Sequence, residues 1–127
     1  MSSSLRPEEK IRQALLGQML GPLSFPKGLV AVEVLIAAKR RADIVVYSKK
    51  ALEPLLVIEC KNELIDETAY AQVMGYNWSL LAPFWCLAHA GGIRTYWKEA
   101  GEIQSVGFLP PYPQLILRAM SYDRNHL

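Results

Sequence analysis

The sequence is poor in the residues that build disulfide frameworks and zinc sites. Two cysteines, Cys60 and Cys86, and two histidines occur among 127 residues. Both cysteines lie inside apolar, strand-like runs and read as reduced residues of an intracellular protein. No charge of one sign dominates either, since fourteen Lys and Arg oppose twelve Asp and Glu for a net charge of +2. That balance neither requires nor excludes a nucleic-acid partner. No apolar run approaches membrane-spanning length, and Met1–Leu5 lacks the apolar core of a signal peptide, so no membrane role and a cytoplasmic location are expected. There are no internal repeats. The length suits one domain with one core.

What is present reads as alternating elements. Pro7 followed by Glu8 and Glu9 suits the first turn of a helix, where proline's missing N–H costs nothing and acids meet the positive helix end. The helix is expected to run to about Leu20, burying Ile11, Ala14, Leu15 and Met19, and to stop before Gly21-Pro22. Strands are expected over Leu29–Ile36, Ala42–Tyr47 and residues 55–60, with a basic turn at Lys39–Arg41 and a polar hairpin at Ser48–Glu53. A second helix is expected from Asp66 to Leu81. Two further strands, Trp85–His89 and Ile93–Trp97, flank a Gly91-Gly92 turn, and Gln114–Met120 forms a short closing helix. This order implies an α/β fold, a mixed β-sheet flanked by helices. The stretch from 55 to 89 is long enough for a right-handed parallel crossover.

Two segments stand out because they set charge at the margins of apolar strands. Asp43 opens Ile44-Val45-Val46-Tyr47, and Glu59 and Lys61 close Leu55-Leu56-Val57-Ile58. A charge there costs several kcal/mol, of order ~3, unless it is paired or bound to metal. If the two strands are antiparallel neighbours, the start of one lies beside the end of the other, and Asp43 and Glu59 come close enough to share a cation. Hard carboxylate oxygens suit Mg²⁺ or Mn²⁺. Glu59 and Lys61 point to one face, whereas Cys60 turns its side chain to the core and leaves its carbonyl as a further metal ligand. A cation there would polarise a phosphate, and Lys61 would orient the attacking water. Asp followed by Glu-x-Lys, taken alone, fits a structural ion pair at a sheet edge equally well.

The surrounding chain resembles the PD-(D/E)xK nuclease superfamily. It is most similar to the small domain related to the N-terminal nuclease region of type I restriction enzyme R subunits. The resemblance covers about Arg6 to Trp97, with 98–127 as a C-terminal extension of a single 1–127 domain. It rests on five segments in order: Pro7–Gln13, Phe25–Glu33, Arg40–Tyr47, Leu56–Lys61 and Gln72–Tyr76. The family implies a restriction-endonuclease-like fold and Mg²⁺-dependent DNA cleavage. Asp43, Glu59 and Lys61 match its catalytic triad. Glu8 or Glu9 matches the helix acid that extends the metal's water shell, and helical spacing favours Glu8, which shares a face with Ile11 and Leu15.

The same resemblance gives Gln72 and Tyr76 a role in positioning the metal site or the DNA backbone. Lys39, Arg40 and Arg41 are candidates for phosphate contacts beside Asp43, although a solvated turn would look the same. Glu33, central in an apolar strand, is either a further site acid or an edge residue. A unit this small is expected to act as a homodimer or with another subunit. The alternative is a non-catalytic nucleic-acid-binding or protein-interaction module of the same fold.

Overall fold

The computed structural model describes residues 6–37, 40–50, 52–61 and 82–125. Helix α1 (Pro7–Leu20) has Pro7 at its start, Glu8 and Glu9 in its first turn and Gly21 at its end. Its Leu15 and Met19 are buried and Ile11 packs against them, whereas Ala14 stays exposed. Six strands follow: β1 (Val30–Ala37), β2 (Arg40–Tyr47), β3 (Pro54–Cys60), β4 (Phe84–His89), β5 (Gly92–Glu99) and β6 (Glu102–Val106). Helix α2 (Tyr112–Asn125) closes the described chain. The expected helix over Asp66–Leu81 lies outside the described residues.

The strands form one sheet in the order β1-β2-β3-β4-β5-β6. All neighbours are antiparallel except β3 and β4, which run parallel with Ile58 opposite Cys86. Leu55–Ile58 and Phe84–Ala88 are buried without interruption, as expected of central strands covered on both faces. On one face Ile44, Leu56, Ile58, Cys60 and Cys86 pack with Leu15 and Met19 of α1 and Leu115 of α2. On the other, Val45, Val57, Trp85, Leu87 and Tyr96 form a second cluster. Among the described residues, no helix is long and apolar enough to cross a membrane.

The largest differences from the sequence expectation lie at the β1–β2 hairpin, the closing helix and the sheet edge. Arg40 and Arg41 belong to β2 rather than to a turn, because Arg41 pairs with Leu35 and Arg40 with Ala37 across the β1–β2 hairpin. The closing helix, Tyr112–Asn125, begins two residues before and ends five residues after Gln114–Met120. The sixth strand is new, and it is joined to β5 through Ala100 and Gly101, whose φ values of 51° and 82° are those of a two-residue primed turn. An alanine pays a steric penalty in that conformation that glycine avoids. Ala100→Gly should therefore stabilise the domain by about 0.5–1 kcal/mol, read as a higher denaturation midpoint; an unchanged or lower midpoint would contradict the turn.

Candidate active site

The site begins with a break in strand alternation. Ile44 and Val46 lie on the α1 face, so a regular β2 would place Ala42 there too. Instead Ala42 packs with Val45 in the opposite cluster. Strand β1 changes face at the same level, with Val30 on the α1 side and Val34 on the other. The residues at the two breaks are Asp43 and Glu33. Val32 pairs with Ile44 and Val34 with Ala42, so Glu33 and Asp43 stand between the paired positions. Glu33 has a φ of 52° in mid-strand. For a side-chain-bearing residue this stores on the order of 1–3 kcal/mol of strain, of the kind that gathers at functional sites.

On its other side, β2 pairs with β3 only as far as Ile44 with Ile58, so Asp43 and Glu59 stand one residue beyond the end of that ladder. There the Cys60 backbone N–H donates to Asp43 Oδ2 at 2.6 Å. The carboxylate takes the place of a backbone carbonyl, and a charge-assisted bond of this length holds it firmly. Asp43, Glu59 and Lys61 are all half-buried. The Lys61 backbone N–H donates to the Ala88 carbonyl at 2.8 Å, which fixes the end of β3 against β4.

Helix α1 adds a cation that the sequence reading did not single out. Arg12, only 14% exposed, lies 2.6 Å from Glu9 Oε1 and 3.1 Å from Glu33 Oε1. Burial opposes its charge, but the hydrogen bond to Glu33 and the fields of Glu9, Glu33 and Asp43 outweigh that and raise its pKa. The Cys60 thiol feels the same surroundings. Burial first, then the negative fields of Asp43 and Glu59, push it up to about 12, with Arg12 opposing. The thiol is therefore neutral and packed in the core, and only the Cys60 carbonyl is chemically suited to a hard cation.

Of the two helix acids, Glu9 is the one joined to Arg12 and Glu8 is exposed. Arg41 is exposed at the start of β2, near Asp43. Lys39, Gln72 and Tyr76 lie outside the described residues. Replacing Arg12 with methionine should cost about 1–2 kcal/mol, since it leaves carboxylates without their counter-charge in a partly screened site. Urea denaturation of Arg12→Met and Arg12→Lys would measure this, and equal stability of all three proteins would refute the network.

The span from residue 7 to residue 110 matches the family model described as type I restriction enzyme R protein N terminus (HSDR_N). The chain belongs to this family. It is thereby a member of the PD-(D/E)xK-like restriction-endonuclease superfamily, with the superfamily's mixed sheet flanked by helices. No curated protein sequence matches the chain. Among solved structures, the type IIG restriction endonuclease BpuSI is similar over 75% of this chain and 11% of its own, with 22% identity and a TM-score of 0.48. The chain thus spans about a tenth of that enzyme's length.

Membership of the R-protein N-terminal family implies a divalent cation. Among the described residues, no three or more His, Cys, Asp or Glu side chains converge as a metal cage. Magnesium does not ask for one, because one or two carboxylates suffice when water and phosphate oxygens complete the octahedron. Asp43 and Glu59, together beyond the β2–β3 ladder, are a donor set of that kind.

Proposed function

We propose that this domain is a Mg²⁺- or Mn²⁺-dependent deoxyribonuclease that hydrolyses DNA phosphodiester bonds in a restriction or repair setting. The observation that supports this best is the coincidence of Asp43 and Glu59 at the point where β2 and β3 part, with Asp43 anchored by the Cys60 N–H. Asp43, Glu59 and the Cys60 carbonyl are the residues that would hold the cation, which supplies Lewis acidity toward the scissile phosphate and the attacking water.

The chain's own groups do the rest. Asp43 keeps one oxygen on the Cys60 N–H, so its carboxylate is oriented before substrate arrives and little reorganisation is needed. Lys61, two residues after Glu59, orients the water and offsets negative charge as the water's oxygen bonds to phosphorus and gives up a proton to solvent, while the bond to the departing sugar oxygen breaks and that oxygen takes a proton from solvent. Glu9 acts at the margin, extending the polar shell, with its position set by Arg12. Arg40 and Arg41, together with Lys39, Gln72 and Tyr76, are proposed to hold the DNA backbone. Pairing with a second copy or another subunit would supply the reach that one small domain lacks, and Phe108, Leu117 and Met120, at 54%, 67% and 49% exposed, offer apolar surface for it. A cytoplasmic location accords with this role.

One observation favours the alternative, a non-catalytic module of the same fold. Arg12 already pairs with both Glu9 and Glu33 beside Asp43, as it would in a purely structural network. The deciding experiment is incubation of supercoiled, linear and branched DNA with Mg²⁺ or Mn²⁺, comparing wild type with Lys61→Ala. Metal-dependent cutting, reduced about a hundredfold or more in the variant, is the expected result. A folded wild-type protein that binds DNA and cuts none of the three would leave the binding module as the reading.

A further inference from the structure

A groove of about 420 Å³ runs between α1 and the β4–β5 hairpin, on the far side of α1's contact with Glu33. We propose that this groove is a second seat for the DNA sugar–phosphate backbone, separate from the arginines at the start of β2. The proposal rests on the nuclease reading for its ligand class and deepens it by naming where the strand leaves the site.

The lining carries the chemistry of a phosphate contact. Lys10 and Gln18 line it from α1 and His89 from the end of β4. Lys10 and Gln18 are exposed, so their heads are accessible to a ligand. No Asp or Glu is among the described lining residues, although Glu8 and Glu9 sit on the same helix. Glu9 is paired with Arg12, and Lys10 is the charged residue among the described lining residues. His89 Nδ1 accepts the Gly91 backbone N–H at 3.0 Å. That bond fixes the ring at the mouth of the β4–β5 turn. Ile11, Leu15 and Ile93 complete an apolar lining, and Ala14, Ala88 and Gly92 are too small to fill the groove.

Its position connects it to the candidate active site. Strands β3 and β4 are parallel and end side by side, Cys60 opposite Ala88. The Lys61 N–H bonded to the Ala88 carbonyl ties the catalytic candidate directly to the groove wall. Ligands of α/β sheets bind beyond the carboxyl ends of parallel strands, and both the groove and the acid pair lie there. A backbone passing over Asp43 and Glu59 would have Arg41 on one flank and Lys10, Gln18 and His89 on the other. Contacts of this type set register and orientation without reading bases.

The test is fluorescence anisotropy of a labelled DNA duplex in metal-free buffer over a range of salt, with each variant's thermal midpoint checked. Lys10→Glu and the groove-filling Ala14→Trp change exposed helix positions, and Lys98→Glu makes the same charge change on β5, outside the groove. Lys10→Glu and Ala14→Trp are expected to weaken binding about tenfold, and Lys10→Ala to lower the slope of log affinity against log salt by about one. Lys98→Glu is expected to bind near wild type. Groove variants that bind as wild type, an equal loss in Lys98→Glu, or a wild type that does not bind the duplex would each overturn the proposal. Because binding is read without metal, a protein that binds through the groove but never cuts would refute the nuclease reading alone.

Discussion

Asp43→Asn should leave the domain folded and lower metal-dependent DNA cleavage by about a thousandfold or more, whereas Asp43→Ala should lose both cleavage and stability. The difference follows from the two tasks of one carboxylate. Its Oδ2 accepts the Cys60 N–H at 2.6 Å, at a position where Cys60 is 4% exposed. Alanine leaves that buried donor without its acceptor, a loss of about 1–3 kcal/mol. Asparagine retains a carbonyl oxygen to accept the same bond but presents no negative charge to a cation. Initial rates of supercoiled plasmid nicking, set beside urea denaturation of the same samples, separate the tasks. An Asp43→Asn protein that cuts at the wild-type rate would remove Asp43 from the chemistry. An Asp43→Ala protein as stable as Asp43→Asn would mean that the Cys60 N–H does not depend on it.

The elements that sequence revealed are those whose signal is local. Leu55–Ile58 and Phe84–Ala88 are continuous apolar runs, and such runs read as buried central strands. Charges at the margins of apolar runs are conspicuous because burial makes charge costly, which marks Asp43, Glu59 and Lys61. Helix α1 carried its own punctuation in Pro7 and Gly21. Strand β6 carried almost none. Glu102-Ile103-Gln104-Ser105-Val106 lies at the sheet edge with only partial burial, and it is fixed by pairing to β5 and by the Ala100-Gly101 turn. The prolines at 110, 111 and 113 obscure the start of α2 at Tyr112, although proline is well accommodated before and within a first helical turn.

The candidate site was legible in its ligands and illegible in its support. Arg12 on a helix surface reads as a solvated cation, and its partner Glu33 is 21 residues away. Glu33 reads from sequence as either a further site acid or an edge residue, and nothing in its neighbours announces a positive φ. The face change at Glu33 and Asp43 also escapes periodicity, because two strands break alternation together and keep their pairing. Helical spacing favours Glu8 as the helix acid, and it carries no signal for the pairing of Glu9 with Arg12. Each of these features depends on a contact between elements, which no window along one chain contains.

Trp85→Ala should be among the most damaging single substitutions in the second cluster, costing about 3–5 kcal/mol of folding stability. Trp85 is 0% exposed and stacks on Tyr96 with ring centroids 6.2 Å apart and planes 13° from parallel. It pairs with Val57 on β3 and with Tyr96 on β5, so its loss opens a cavity across three adjacent strands. Stability of small domains is only about 5–15 kcal/mol, so a loss of this size leaves little reserve. Trp85→Phe should cost far less, near 1 kcal/mol, because the ring remains and the indole N–H has no hydrogen-bond partner among the described residues. The comparison is a urea midpoint for each variant. A phenylalanine variant as unstable as the alanine one would mean that the N–H is bonded after all, and that polar contact rather than stacking holds β4. Val57 is two residues before Glu59, so the packing measured here is also what keeps the acid at the end of β3 in place. A Trp85→Phe protein that stays stable should therefore retain its DNA-cutting rate, whereas damage to the core reaches the site through β3.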